Sequence, residues 1–249
     1  MLKKRIIPVV QLMTNSVVKT VAFENPRQVG DSSATIKVFS SRKADELVLI
    51  DIGASLNGQE PNYKYIELAA KNCLMPLTIG GGISSFECAK KVFLAGADKI
   101  IIGNLLHENP FEVEKIVHHY GQQAVVISLD IRKIGNKYQS FSASGRRPSI
   151  FLEEIIIKAN DCGAGEIFLT SIENEGLMQG YNIELVEKAI SLTSLPIVIN
   201  GGGTLEDMVE SFRLGVSATA VSSIFFWEGL TIKDIKTHLI KNNILVTNF

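Results

Sequence analysis

Eight short runs of β-branched and apolar residues recur along the chain, separated by stretches with helical spacing. The runs are RIIPVV (5–10), ELVLIDI (46–52), PLTI (76–79), DKIIIG (98–103), AVVISLD (124–130), EIFLTSI (166–172), PIVIN (196–200) and ATAVSS (218–223). They are almost continuously apolar rather than alternating, the pattern of parallel strands covered on both faces. Between them, Phe86, Ala89, Val92 and Phe93 fall on one helical face, as do Leu152, Ile155, Ile156 and Ala159. Strands alternating with helices in this number predict an α/β fold closed as a (β/α)8 TIM barrel. An open doubly wound sheet is the alternative, with about five or six strands the commoner count.

The chain also repeats itself. Glu46 stands 120 residues before Glu166, and Pro76 120 residues before Pro196. With the register moved by one residue, Gly96 matches Gly215, Gly103-Asn104 matches Ser222-Ser223, and Gln11 matches Asp130. One barrel over 1–249, made of half-barrels of about 1–122 and 123–249, explains the match. Chance similarity between strand-rich segments is the alternative.

Composition narrows the class. With 46% hydrophobic residues the chain can form a large core and is no disordered segment. A net charge of −1 argues against a nucleic-acid-binding surface while leaving room for a local anion site. The three cysteines (Cys73, Cys88 and Cys162) are widely spaced without a CxxC or a neighbouring histidine. Reduced thiols in a cytoplasmic protein are expected, with no disulfide framework, metal site or cofactor. The apolar run Ile6–Val10 is too short for a secretory leader. No stretch approaches the roughly 18 apolar residues of a membrane span, so no membrane association is expected.

Active sites of such barrels lie at the C-terminal ends of the strands. There the repeat places a glycine-rich turn twice, Gly80-Gly81-Gly82 and Gly201-Gly202-Gly203, with Ser84 and Thr204 where the next helices would begin. Glycines let the backbone approach a phosphate, and helix N-termini supply N–H donors. One such turn is weak evidence, since a tight strand-to-helix turn needs the same residues. Two at matching positions, each followed by a strand ending in Gly103-Asn104 or Ser222-Ser223, point to a substrate phosphorylated at both ends. The ionisable candidates at this rim are Lys19, Asp51, Asp130 and Glu175. Asp130 ends a nearly apolar run where only the barrel mouth can solvate it. Asp51 has a helix cap as its alternative role, and Lys19 a solvated place in the long first loop. The four histidines (His107, His118, His119 and His238) receive no catalytic role. At the opposite face, Arg5, Glu46, Lys99 and Glu166 stand at strand starts, where they form either an alternating-sign ring or a solubilising set of charges.

KRIIP, VVKTVAFENPRQVGD, ADELVLIDI, GGGI, GADK, QAVVISLD, GAGEIFLTSI and LPIVINGGG occur in the order found in the cyclase subunit of imidazole glycerol phosphate synthase, which the chain resembles over essentially its whole length. The resemblance implies a (β/α)8 barrel that binds a bis-phosphorylated substrate across its top. It also implies a glutaminase subunit docked on the bottom that delivers ammonia. Lys19, Asp51, Gly82, Asn104, Asp130, Thr170, Gly176, Gly202 and Ser223 match or adjoin that family's substrate-contacting positions. Arg5, Glu46, Lys99 and Glu166 match its charged gate, which favours the ring over the solubilising set.

The departures cluster at the catalytic face. Val9-Val10-Gln11 replaces a Cys-Leu-Asp motif whose aspartate works with Asp130 in acid–base steps. Losing one such group typically costs about 10²–10⁴ in rate. Gly103 replaces an asparagine, Glu175 and Leu177 replace the aspartate and threonine of an Asp-Gly-Thr phosphate loop, and Asn200 replaces a serine. With the segment Gly58–Tyr63, these changes resemble a paralogous branch that acts with a glutaminase and a third amidotransferase protein in acetamidino modification of surface sugars. That resemblance implies an ammonia-delivering barrel of low cyclase activity. The alternatives are a histidine-pathway cyclase that tolerates Gln11, or a scaffold that only activates its glutaminase.

Overall fold

The computed structural model describes residues 3–14 and 16–247. The strands, in chain order, are β1 (Arg5–Met13), β2 (Ser16–Val21), β3 (Glu24–Asp31), β4 (Leu47–Asp51), β5 (Leu77–Gly80), β6 (Lys99–Ile102), β7 (Val125–Ile134), β8 (Lys137–Ser142), β9 (Arg147–Phe151), β10 (Glu166–Ser171), β11 (Ile197–Asn200) and β12 (Ala218–Val221). Eight of them pair in parallel and close a ring: β1, β4, β5, β6, β7, β10, β11, β12 and back to β1. These are the eight runs read from the sequence. The helices α1 (Ser32–Ser41), α2 (Ile52–Asn57), α3 (Tyr63–Asn72), α4 (Phe86–Leu94), α5 (Asn104–Glu108), α6 (Pro110–Tyr120), α7 (Leu152–Asp161), α8 (Ile183–Leu192), α9 (Leu205–Leu214), α10 (Ser223–Trp227) and α11 (Ile232–Lys241) fall between and after them. Their buried faces, such as Ile155, Ile156 and Ala159 of α7, cover the outside of the barrel.

Matching hydrogen bonds recur in the two halves. Leu47 N donates to Pro76 O and Ile167 N to Pro196 O, both at 2.9 Å. Asp98 N donates to Leu77 O and Ser217 N to Ile197 O, again at 2.9 Å. Each pair sets the stagger between one strand and the start of the next, so both halves adopt the same register.

Successive strand residues point to opposite faces, and the inner positions form layers up the barrel. Arg5, Glu46, Lys99 and Glu166 form a charged layer at the bottom. Above it, Ile7, Val9, Val48, Ile101, Val126 and Phe168 pack with Val198, Ala218 and Ala220. One more step of two residues brings Gln11, Gly103, Ser128, Thr170 and Asn200 to the mouth, and Asp130 stands one further step beyond Ser128 on β7. An apolar plug thus separates charges at the bottom from polar groups at the top.

The first loop departs from expectation. Residues 16–31 form the hairpin β2–β3, and β1 runs on to Met13 by pairing Gln11 with Val18. A second, unanticipated hairpin, β8–β9, extends β7 to Ile134. A strand that outgrows the barrel wall needs a partner for its backbone groups, and a hairpin supplies one. Helix starts differ by one residue: Ser85, not Ser84, caps α4, whereas Thr204 caps α9 with a reciprocal contact from Asp207. The outer ends of the expected half-barrels (1, 2, 248 and 249) and Asn15 of the first loop lie outside the described residues. Among the described residues no helix is long and apolar enough to cross a membrane.

Candidate active site

The barrel mouth opens into a cavity of about 340 Å³ bordered by Gln11, Gly81, Gly82, Gly103, Asn104, Asp130, Thr170 and Asn200. A smaller one, of about 20 Å³, lies against it between Lys19, Glu175, Gly176, Gly201, Gly202, Ser222 and Ser223. Asn200 borders both. Nearly all of the rim residues singled out from the sequence therefore meet at two adjoining spaces. Asp51 is the exception. Its carboxylate caps α2 by accepting from Ala54 N at 2.9 Å and does not border either cavity.

The glycine turns are dictated by crowding. Gly82 has φ +72°, and a Cβ there would lie 2.4 Å from Gln59 O. Its counterpart Gly202 has φ +83°, and a Cβ there would lie 2.2 Å from Asn174 O. No other residue type fits either turn without displacing backbone. The turns differ in what they already hold, since Gly82 N donates to Ser55 Oγ at 3.1 Å. Asn104 uses its side-chain oxygen to accept from Ala143 N at 2.8 Å, anchoring the β8–β9 turn. Ser222 Oγ donates to Val9 O at 2.7 Å.

Two clusters carry charge at the mouth. Asp130 follows Leu129 to the inner face of β7, where Ser128 Oγ donates to it at 3.4 Å. Burial pushes its carboxyl up to about 7, Ser128 opposes this, and the charge of Glu175 adds to it. Asp130 keeps part of its surface open to the cavity, the direction from which a proton can be exchanged. The second cluster centres on Lys19, 5% exposed, whose Nζ lies 3.5 Å from Glu175 Oε1 and 3.4 Å from Gln11 Oε1. Burial lowers the Lys19 ammonium, and Glu175 offsets part of that. The hairpin brings it there: Val17, Val18, Lys19 and Thr20 are all buried, so Lys19 is no solvated loop residue. Sequence reasoning missed Thr20, Phe23 and Ser128. Ser128 was findable, since it stands two residues before Asp130 on the same face of its strand.

At the bottom, Arg5 Nη1 meets Glu46 Oε2 at 3.0 Å, and Arg5 Nη2 pairs with Glu166 Oε1. Lys99 Nζ lies 3.0 Å from Glu46 Oε2 and 3.7 Å from Glu166 Oε2. Thr78 Oγ1 donates to Glu46 Oε1 at 2.6 Å. Burial alone would pull the Arg5 guanidinium down, but Glu166 and Glu46 together raise it. The four charges close a ring of alternating sign.

A family model described as histidine biosynthesis protein matches residues 5–231. The chain belongs to that family. Among its relatives within the family, the "Putative imidazole glycerol phosphate synthase subunit HisF" of Leptospira borgpetersenii is 37% identical over 235 residues, covering 92% of each chain. The "Imidazole glycerol phosphate synthase subunit HisF" of Dictyoglomus thermophilum is 37% identical over 249 residues, covering 99% of each. That of Pelodictyon phaeoclathratiforme is 36% identical over the same length and coverage. None of these three histidine biosynthesis relatives is named for sugar modification. Among the described residues no group of three or more His, Cys, Asp or Glu side chains is placed to hold a metal ion.

Proposed function

We propose that this chain is the cyclase-type subunit of an imidazole glycerol phosphate synthase. Ammonia enters through the charged ring at the bottom, crosses the apolar interior and reacts with a phosphorylated substrate at the mouth. The observation that carries this reading is the alignment of three layers along one axis: the ring, the apolar plug and the polar mouth with Asp130. Glu46 and Glu166 are buried and Arg5 and Lys99 half-buried, a poor means of stabilising a fold, because desolvation offsets much of their attraction. A polar entry that holds its own charges in mutual pairs, below an apolar path, suits a small neutral molecule. At the mouth the turns at Gly81-Gly82 and Gly201-Gly202 hold the phosphate ends, and Asp130 exchanges a proton with the reacting atoms. The partner is a HisH-like glutaminase seated on the bottom face.

The departures at Gln11, Gly103, Glu175, Leu177 and Asn200, with the segment Gly58–Tyr63, resemble a sugar-modifying branch with a third amidotransferase protein. The similarity over 99% of the chain to proteins named imidazole glycerol phosphate synthase subunit HisF favours the cyclase reading instead.

Steady-state assays with the bis-phosphorylated substrate of the synthase test the proposal, with either ammonium chloride or glutamine plus a glutaminase subunit as nitrogen source. Turnover with both sources supports it, and none with either sinks it. Lys99→Ala is expected to lower glutamine-dependent turnover several-fold more than ammonium-dependent turnover, with the circular dichroism of the barrel unchanged. Equal losses with both nitrogen sources would reduce the ring to a structural feature.

A further inference from the structure

Glu175 is only 3% exposed, and its two carboxylate oxygens are held very differently. Oε2 accepts from Thr20 Oγ1 at 2.9 Å and from Phe23 N at 3.3 Å, an anchored position. Oε1 has only long contacts, 3.5 Å to Lys19 Nζ and 3.5 Å to Gln11 Nε2. A substrate atom can replace such loose partners at little cost. The backbone of the same loop is fixed independently, with Ala22 N donating to Glu175 O at 2.9 Å. Gly176, whose Cβ would fall 2.3 Å from Thr20 O, lets that loop lie against β2.

This geometry differs from an anion loop. The side chain borders the small cavity beside Gly201 and Gly202, and its Oε1 turns toward Gln11, which by the resemblance stands where a carboxylate would serve in proton transfer. An amide at position 11 donates and accepts hydrogen bonds but has no proton to exchange in the working pH range. Glutamate is one methylene longer than the aspartate of the Asp-Gly-Thr loop, and that length carries its Oε1 to within contact of Gln11 and Lys19.

We propose that Glu175 is the second proton-transferring carboxylate of this site, working with Asp130, and that Gln11 and Lys19 position it. The inference rests on the cyclase reading. As ammonia adds to a carbonyl carbon of the substrate, the C–N bond forms and the C=O π pair moves to oxygen. The nitrogen gives one proton to the Glu175 carboxylate, and the Asp130 carboxyl gives one to the oxygen. One proton is taken and one delivered, with no change of oxidation state. Asp130 regains its proton from water in the open cavity, and Glu175 releases its own through the small adjoining space that it borders.

The test uses the full chain, ammonium chloride and the bis-phosphorylated substrate of the synthase. Glu175→Gln keeps an oxygen for Thr20 and Phe23, so the hairpin stays docked and KM changes little. The kcat is expected to fall about 10²–10⁴-fold. Adding Gln11→Asp to that variant is expected to restore at least roughly tenfold, because a carboxylate returns to the same space. A Glu175→Gln chain within a few-fold of the wild type overturns the proposal. So does a loss that Gln11→Asp leaves unrepaired, which would make Glu175 a latch for the hairpin. A wild-type chain inert with ammonium overturns the cyclase reading itself, and the inference with it.

Discussion

Asp130→Asn is expected to lower kcat about 10²–10⁴-fold while making the fold more stable at neutral pH. Both effects have one cause. Burial at the barrel mouth disfavours the ionised carboxyl and moves it from the ordinary 3.8 up to about 7. Near neutrality both protonation forms are then populated, which is what a group exchanging protons with a substrate requires. As proton donor, Asp130 gives a kcat/KM that falls as pH rises through about 7, and the Asp130→Asn substitution removes that limb with the activity. The stability effect follows from the same difference. Well below about pH 4 the side chain is protonated in the folded and unfolded chains alike, so no penalty exists. Between about 4 and 7 the unfolded chain releases a proton that the folded chain retains, and stability declines as pH rises. Above about 7 the deficit is constant, at most a few kcal/mol given roughly 1.4 kcal/mol per pH unit. An asparagine escapes it. Urea midpoints of both chains at about pH 4 and about pH 8 measure the gap, which should open only at the higher pH. A gap between the two chains that is the same at both pH values, or an Asp130→Asn variant that remains active, would remove Asp130 from the chemistry.

Lys236→Met is expected to cost about 3–5 kcal/mol of stability, the usual loss when one member of a buried ion pair is removed. For a chain of this size that is a fall in melting temperature on the order of 10 °C. Lys236 of α11 is fully buried, and its three ammonium hydrogens have three acceptors: Asp45 Oδ1 at 2.8 Å, Thr247 Oγ1 at 2.6 Å and Lys43 O at 3.4 Å. Asp45 in turn accepts from Ile6 N at 2.8 Å and from the Thr247 hydroxyl. One ammonium therefore joins the last helix, the C-terminal segment, the approach to β4 and the start of β1. Methionine fills the volume but leaves Asp45 a buried carboxylate without its cation. The double variant Lys236→Met with Asp45→Asn removes both charges and is expected to recover more than half of the loss. Thermal unfolding of the two variants decides: a single variant costing under about 1 kcal/mol would show the pair to be dispensable.

The eight barrel strands and their closure were legible in the chain because both depend on local pattern or on a repeat, whereas the residues alone left the four bottom charges open between a ring and a solubilising set. Apolar runs mark strands wherever they are covered on both faces. Glu46 and Glu166, equally spaced from Pro76 and Pro196, mark equivalent strand starts in any closed eightfold arrangement. The glycine turns were legible as well, since only glycine fits beside Gln59 O and Asn174 O. Asp130 was marked by an acidic group ending an apolar run.

Other features depend on partners distant in sequence, and no local pattern encodes them. Lys19 reads as a loop lysine until β2 pairs with β1 and buries it. The sequence left Asp51 open between the rim and a helix cap, and the fold turns it to cap its own helix while Asp130 faces the cavity. Glu175 reads as part of a phosphate loop, whereas its side chain turns toward Thr20, Phe23 and Gln11, more than 150 residues earlier. Lys236 gives no sign in sequence that it is the most deeply placed charge near the chain's end. By itself the sequence determined which segments become the eight barrel strands, the order in which they close, and which backbone positions must be glycine, because sterics and hydrophobic period act within a few residues. The hairpins β2–β3 and β8–β9 form only where the extended β1 and β7 offer them partners. Only the tertiary structure decided which charges meet, since ion pairing and burial depend on distances that closure of the barrel alone creates.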